Sequence, residues 1–342
     1  MAIRTLIVDD SAFARKVVRE VLSTSLEVEV VGAARDGLEA LDLTALLNPD
    51  VVVCDIQMPG LDGVGYVRRQ MKIRPLPILI LSSTPQDAED AVSALGAGAI
   101  DVVTKPTALA NDGLRSVQEE LLRKLVSAAG APAGNLTRSL VSGRLPARPS
   151  RATRVDIVVI GISTGGPQAL RRLLPLFPGN FPVPIAVVLH MPVGYTASYA
   201  MKLNEICEME VKEGAEGDAV RPGRVLIAPA GRHLGFRRNS AGSVVAQLSM
   251  IPVEKIHRPS ADVLFRSASE TYGERVLAVV MTGMGDDGLE GCSWVKANGG
   301  AVLTEAESTC VIYGMPRTID EAGLSDASVP LDVMASAIIS RT

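Results

Sequence analysis

Apolar residues along this chain gather in short unbroken runs, the pattern of strands buried on both faces, separated by stretches with helical spacing. In the first third the runs IRTLIVDD, DVVVCDIQMPG, PILILSST and AIDVVTKP each end in polar residues. Further on the alternation begins again with VDIVVIG, PIAVVLH, VLAVVMTG and AVLTE. Strands of this kind alternating with helices predict parallel sheets covered on both faces. The expected fold class is therefore α/β, with two doubly wound parallel-sheet domains in tandem.

The two series are divided by a stretch that belongs to neither. From Ser127 to Arg154 the chain has Pro132, Pro146 and Pro149, four Arg among its last eleven residues, no Asp or Glu and few large apolar groups. Such a composition cannot bury a core and reads as a flexible basic linker. The expected organisation is a first domain over 1–122, a linker over 123–153 and a second domain over 154–342.

A length of 342 residues with 47% apolar content suits two buried cores. The net charge of −4 gives no electrostatic reason to expect nucleic acid or an anionic membrane as partner. An acidic pair, Asp9 and Asp10, interrupts the N-terminal apolar run where a secretory segment would be apolar, and no run approaches the ~20 residues that span a bilayer. The expected location is the cytoplasm. Four scattered cysteines, Cys54, Cys207, Cys292 and Cys310, form no CxxC pair and read as reduced, buried thiols.

Ligand chemistry in a parallel sheet collects at the carboxyl ends of the strands. In the first domain those ends carry Asp9, Asp10, Asp55, Ser82 and Lys105. Three carboxylates beside one ammonium repel one another unless a divalent cation sits among them, and Mg²⁺ favours such hard oxygen ligands. A carboxylate held there can accept a phosphoryl group, with the Ser82 hydroxyl and Lys105 binding the added oxygens. Residues 3 to about 122 resemble a response-regulator receiver domain in V-D-D at 8–10, D-I-Q-M-P-G-L-D-G at 55–63, Ser82 and K-P at 105–106. The resemblance implies a five-stranded flavodoxin-like fold, Asp55 as phosphoacceptor, Asp9, Asp10, Asp55 and the Gln57 carbonyl as Mg²⁺ ligands, and Ser82 with Lys105 as the switch pair. One departure is Val102, which stands where receivers often place a switch aromatic.

In the second domain, VVIGISTGGPQAL, residues 158–170, runs from strand through a glycine turn into a helix. Gly161-x-Ser163-x-Gly165 fits a nucleophile elbow and equally a phosphate loop, because bare amides at a helix N-terminus bind any anion. A second turn, Gly283-x-Gly285-x-x-Gly288, with Glu305 ending the next apolar run, matches the dinucleotide fingerprint in form. Asp286 and Asp287 oppose that reading. A pyrophosphate there would face like charges at a cost on the order of 4 kcal/mol per pair, at an effective dielectric of about 20. An aspartate can instead orient a histidine. Of the three histidines, His190 ends the run PIAVVLH, whereas His233 and His257 fall outside such runs, in loops or near helix starts. Ser163, His190 and one of the two aspartates can thus supply a triad from three strand ends of one sheet.

Residues 154 to about 340 resemble the catalytic domain of the chemotaxis protein-glutamate methylesterases. The matching segments are G-I-S-T-G-G-P at 161–167, H-M-P at 190–192, I-A-P-A-G-x-H-L at 227–234, H-R-P-S-A-D-V-L-F at 257–265, T-G-M-G-D-D-G at 282–288 and Y-G-M-P-R at 313–317. The resemblance implies a Rossmann-like fold, Ser163 as nucleophile, His190 as general base, Asp287 as third member, and the amides of Thr164 and Met284 as oxyanion donors. It also implies glutamyl methyl esters of methyl-accepting chemoreceptors as substrate, deamidation of particular glutamines, a chemotaxis histidine kinase as phosphodonor, Mg²⁺ for phosphorylation and no cofactor for the ester chemistry. Asp286 stands where the family has Asn, adding a negative charge beside the triad. Two other readings stay open: a receiver-controlled binding module without turnover, and a nucleotide-binding oxidoreductase built on residues 283–288.

Overall fold

The computed structural model describes residues 2–106, 113–131, 134–135 and 155–342. The chain divides into two compact units, Met1–Arg138 and Ser139–Thr342.

The first unit is a five-stranded sheet in the order β2-β1-β3-β4-β5, formed by β1 (Ile3–Val8), β2 (Val28–Ala34), β3 (Val51–Asp55), β4 (Ile78–Ser82) and β5 (Asp101–Thr104). All its pairings are parallel. Helices α1 (Ala12–Leu22), α2 (Gly37–Leu47), α3 (Gly63–Ile73) and α4 (Ala88–Ala97) connect the strands. The inner strands β3 and β4 are buried at every position, which is why they stand out as apolar runs. The edge strand β2, VEVVGAA, is mostly half-buried and has no such signature.

Helix α5 (Gly113–Ala129) corrects one boundary. Leu121, Leu125 and Ala128 are fully buried at spacings of one and two turns, so the helix runs through 123, where the linker was expected to start. Lys124 is buried with them, pairing with Asp101 at 3.1 Å and donating to the Val102 carbonyl at 3.2 Å. The rest of the expected linker, apart from residues 130–131 and 134–135, lies outside the described residues.

The second unit is built on a seven-stranded parallel sheet in the order β14-β13-β12-β6-β7-β9-β8. Its strands are β6 (Ile157–Ile162), β7 (Ile185–Leu189), β8 (Glu210–Glu213), β9 (Arg224–Ile227), β12 (Val276–Val280), β13 (Ala301–Glu305) and β14 (Ala327–Val329). The chain leaves β6 for β7 on one side and returns to β12 on the other. The strand order therefore reverses between β6 and β12, and a crevice opens at their carboxyl ends. Helices α6 (Gly166–Leu173), α7 (Thr196–Asn204), α8 (Ala261–Tyr272), α9 (Leu289–Ala297), α10 (Met315–Glu321) and α11 (Leu331–Ile339) accompany these strands.

An antiparallel hairpin, β10 (His233–Arg238) with β11 (Val244–Ser249), was not foreseen from the alternation of runs. Leu234, Phe236 and Ala246 of the hairpin share one core with Leu264, Phe265 and Ala268 of α8. His233 begins β10 and bonds the Pro252 carbonyl through Nε2 at 3.0 Å, so it belongs to a strand rather than to a loop. Among the described residues no helix is long and apolar enough to cross a membrane. Cys54, Cys292 and Cys310 are buried thiols, and Cys207 is half-buried.

Candidate functional site

Ser163 follows β6 directly and His190 follows β7 directly, one residue beyond the register pair Ile162↔Leu189. The His190 amide donates to the Ile162 carbonyl at 3.2 Å, so adjacent strands deliver the two side chains to the same rim. The turn after Ser163 reverses sharply because Gly165 adopts φ +82°, a conformation that disfavours any side chain. A Cβ at Gly165 would also lie 2.6 Å from the Val311 Cβ. On the facing turn, a Cβ at Gly283 would lie 2.7 Å from the Ser163 Cβ, so only glycine lets the Gly283–Met284 backbone approach the serine. The Ser163 amide donates to the Thr282 carbonyl at 3.0 Å, tying together the turns that follow β6 and β12.

Asp287, not Asp286, reaches the histidine. Its Oδ2 lies 2.8 Å from His190 Nε2, whereas Asp286 is exposed. The same carboxylate accepts from the Ser260 hydroxyl at 2.7 Å, the Ala261 amide at 2.7 Å and the Asp262 amide at 3.2 Å. It thus sits on the N-terminus of α8, where the helix dipole and unpaired amides favour an anion. Burial alone would raise this carboxyl. The bonds and charge of His190, with the Ser260 and Ala261 donors, outweigh it and hold Asp287 well below the ordinary carboxylate range. An ionised Asp287 assigns the proton to Nε2. Nδ1, buried and without a hydrogen-bond partner, is left to act as acceptor.

Sequence reasoning missed two neighbours. His257, in the loop before α8 as expected, stacks on His190 with ring centroids 4.1 Å apart and an interplanar angle of 15°. Ser260 precedes α8 and holds the Asp287 carboxylate rather than its own helix. The only sequence signal for either is the segment H-R-P-S-A-D-V-L-F. The dinucleotide reading meets a direct obstacle, because the Gly288 and Gly291 amides at the start of α9 both donate to Asp262 Oδ1, at 2.9 and 2.8 Å. An arriving pyrophosphate would find those amides taken and Asp287 beside them.

In the first unit, Asp9, Asp10 and Asp55 bring their carboxylates within 4.8 Å of one another at the ends of β1 and β3. Lys105 Nζ lies 2.7 Å from Asp9 and 2.9 Å from Asp55. Burial raises the Asp55 carboxyl even against Lys105, and Lys105 is raised by Asp9 and Asp55 against the opposing effect of its own burial. One ammonium for three carboxylates leaves excess negative charge on a hard-oxygen donor set, which fits Mg²⁺. Ser82 ends β4, and its hydroxyl contacts Asp87 at 3.3 Å. Gln57 is exposed and donates through Nε2 to Asp87 at 3.0 Å. Val102 is fully buried within β5.

The two units define a class: a receiver-type α/β domain in tandem with an α/β domain that carries the residue set of a hydrolase at its switch point. Residues 158–338 match the CheB methylesterase family model, and residues 5–114 match the response regulator receiver domain. The protein-glutamate methylesterase/protein-glutamine glutaminase 5 of Myxococcus xanthus is 48% identical over 97% of this chain and 96% of its own length. Its counterpart in Halalkalibacterium halodurans is 40% identical over 98% of this chain and 97% of its own. The crystal structure of the Thermotoga maritima CheB methylesterase catalytic domain, 42% identical, superposes with a TM-score of 0.54 over 56% of this chain and all (100%) of that one. The chain belongs to the CheB methylesterase family, and it is a hydrolase with a receiver domain.

Proposed function

We propose that the protein hydrolyses glutamyl methyl esters of methyl-accepting chemoreceptors, and deamidates particular glutamines, through an acyl-enzyme on Ser163. The observation that carries this reading is the 2.8 Å contact of His190 Nε2 with Asp287, which leaves Nδ1 as acceptor one strand away from Ser163. His190 Nδ1 takes the Ser163 proton as Oγ bonds to the ester carbonyl carbon. The oxyanion is stabilised by the amides of Thr164 and Met284, and the imidazolium by Asp287. As the C–O bond to methanol breaks, His190 returns the proton to the leaving oxygen. Water then attacks the acyl-enzyme with the same histidine as base, and glutamate is released.

Control is assigned to the first unit. Asp55 accepts a phosphoryl group from a chemotaxis histidine kinase in the cytoplasm. Asp9, Asp10, Asp55 and the Gln57 carbonyl would hold Mg²⁺, which when bound would supply positive charge beside the phosphoryl oxygens, while Ser82 and Lys105 bind the added phosphate. In this reading the unphosphorylated receiver restrains the esterase and the acyl phosphate releases it. Methanol release from a methylated receptor fragment tests the chemistry. Ser163→Ala should fold and release none, and retained activity would remove Ser163 from the mechanism.

A further inference from the structure

Glu305 matched the acid of the dinucleotide fingerprint in the sequence, a reading the occupied amides at the start of α9 oppose. It is fully buried at the end of β13, on the rim that bears Ser163. Its Oε2 accepts from the Thr282 amide at 3.0 Å and its Oε1 from the Thr309 hydroxyl at 3.0 Å. Thr282 is the residue that clamps the nucleophile turn. Its carbonyl holds the Ser163 amide at 3.0 Å, and its hydroxyl lies 3.1 Å from the Thr164 carbonyl while accepting the Ile312 amide at 3.0 Å. The next residue, Gly283, donates to the Ile312 carbonyl at 3.0 Å and accepts from the Met315 amide at 2.8 Å, which fixes the backbone leading into Met284.

We propose that Glu305 is a positioning residue for ester hydrolysis: its carboxylate anchors the Thr282 peptide and thereby sets the Ser163 and Met284 backbone against each other. This rests on Ser163 being the nucleophile. An ionised carboxylate makes a shorter, charge-assisted bond to the Thr282 amide, roughly twice as strong as that from the neutral acid. The clamp is therefore tightest when Glu305 is ionised. The groups facing it are Arg172 of α6 and Asp332 of α11, paired with each other at 2.8 Å, together with the Cys310 thiol, whose own ionisation the Glu305 charge opposes. Burial, partly offset by the Thr282 and Thr309 donors, raises Glu305 to about 7, so the clamp changes state near neutral pH.

The test compares methanol release by the full chain and by Glu305→Gln from pH 6 to pH 8, on a methylated receptor fragment with saturating phosphodonor. The ratio of the two kcat values cancels the ionisation of His190. It is expected to rise from about twofold at pH 6 to about ninefold at pH 8, with KM within about twofold throughout. A pH-independent ratio, or a loss carried by KM, overturns the proposal. Should Glu305→Gln fail to fold, Thr309→Val keeps the carboxyl but removes one donor to it. That variant is expected to move the neutral step in the kcat profile to higher pH, and an unmoved step overturns the proposal. Activity surviving in Ser163→Ala would sink the nucleophile assignment itself. A flat ratio with Ser163-dependent activity sinks only the role of Glu305.

Discussion

Under the proposed mechanism, Asp287→Asn separates two jobs of that carboxylate, holding the tautomer of His190 and stabilising its positive form. The substituted amide can enter in two orientations. With nitrogen in place of Oδ2 it would face both His190 and the Ala261 amide, a donor against a donor at 2.7 Å. With nitrogen in place of Oδ1 it meets the Ser260 hydroxyl, which can turn and accept, and it gives up only the longer Asp262 contact of 3.2 Å. The second orientation is therefore favoured. It keeps an oxygen against His190 Nε2, so the tautomer survives and what is lost is the charge. A carboxylate and an imidazolium with charge centres about 4 Å apart interact by about 4 kcal/mol at an effective dielectric of about 20, which corresponds to roughly 10³-fold in rate. The expected result is a kcat for methanol release lowered roughly 10³-fold at unchanged KM. That is a smaller loss than the ~10⁴-fold of a triad whose asparagine imposes the wrong tautomer. A loss of tenfold or less would refute the electrostatic role, and a rise in KM with kcat retained would place Asp287 in substrate binding instead.

Asp55→Asn should lose the increment that a small phosphodonor with Mg²⁺ adds to methanol release, and an increment that survives would refute control through Asp55. Gly165→Ala should destabilise the second domain. A side chain at φ +82° costs about 1–2 kcal/mol and the close approach to Val311 about 1–3 kcal/mol more. Urea unfolding followed on the single tryptophan, Trp294 in α9, reads that loss, and an unchanged midpoint would show that the turn relaxes around the methyl group.

The architecture explains why the chemistry gathers where it does. Crossovers in both directions from β6 leave an uncovered crevice at its carboxyl end, and loops from five strands converge on it. Ser163 comes from β6, His190 from β7, Asp287 from the turn after β12, Glu305 from β13, and the His257–Ser260 segment from the connection after β11. The two neighbours foremost among these for holding Asp287, Ser260 and the α8 amides, use a helix N-terminus as an anion site inside the protein rather than for a ligand.

By itself the sequence determined β1, β3, β4 and β5 of the first sheet and β6, β7, β12 and β13 of the second, because strands buried on both faces must be apolar throughout. It also placed Ser163, His190, Asp55 and Lys105 at strand ends, because the polar residue that closes such a run marks where the strand emerges. It was silent on the edge strands β2, β8 and β14 and on the four-residue inner strand β9, whose half-buried or short stretches carry no long continuous run, and on the hairpin β10–β11. Only the tertiary structure decided which ring nitrogen of His190 meets Asp287. The answer depends on the angle at which two neighbouring strand ends face the N-terminus of a helix begun some seventy residues after the histidine. It likewise decided that Glu305 holds the turn beside Ser163, since its bond to the Thr282 amide exists only once β13 lies beside β12. Spacing along the chain says which residues reach a rim, and packing across the sheet says which atoms then meet.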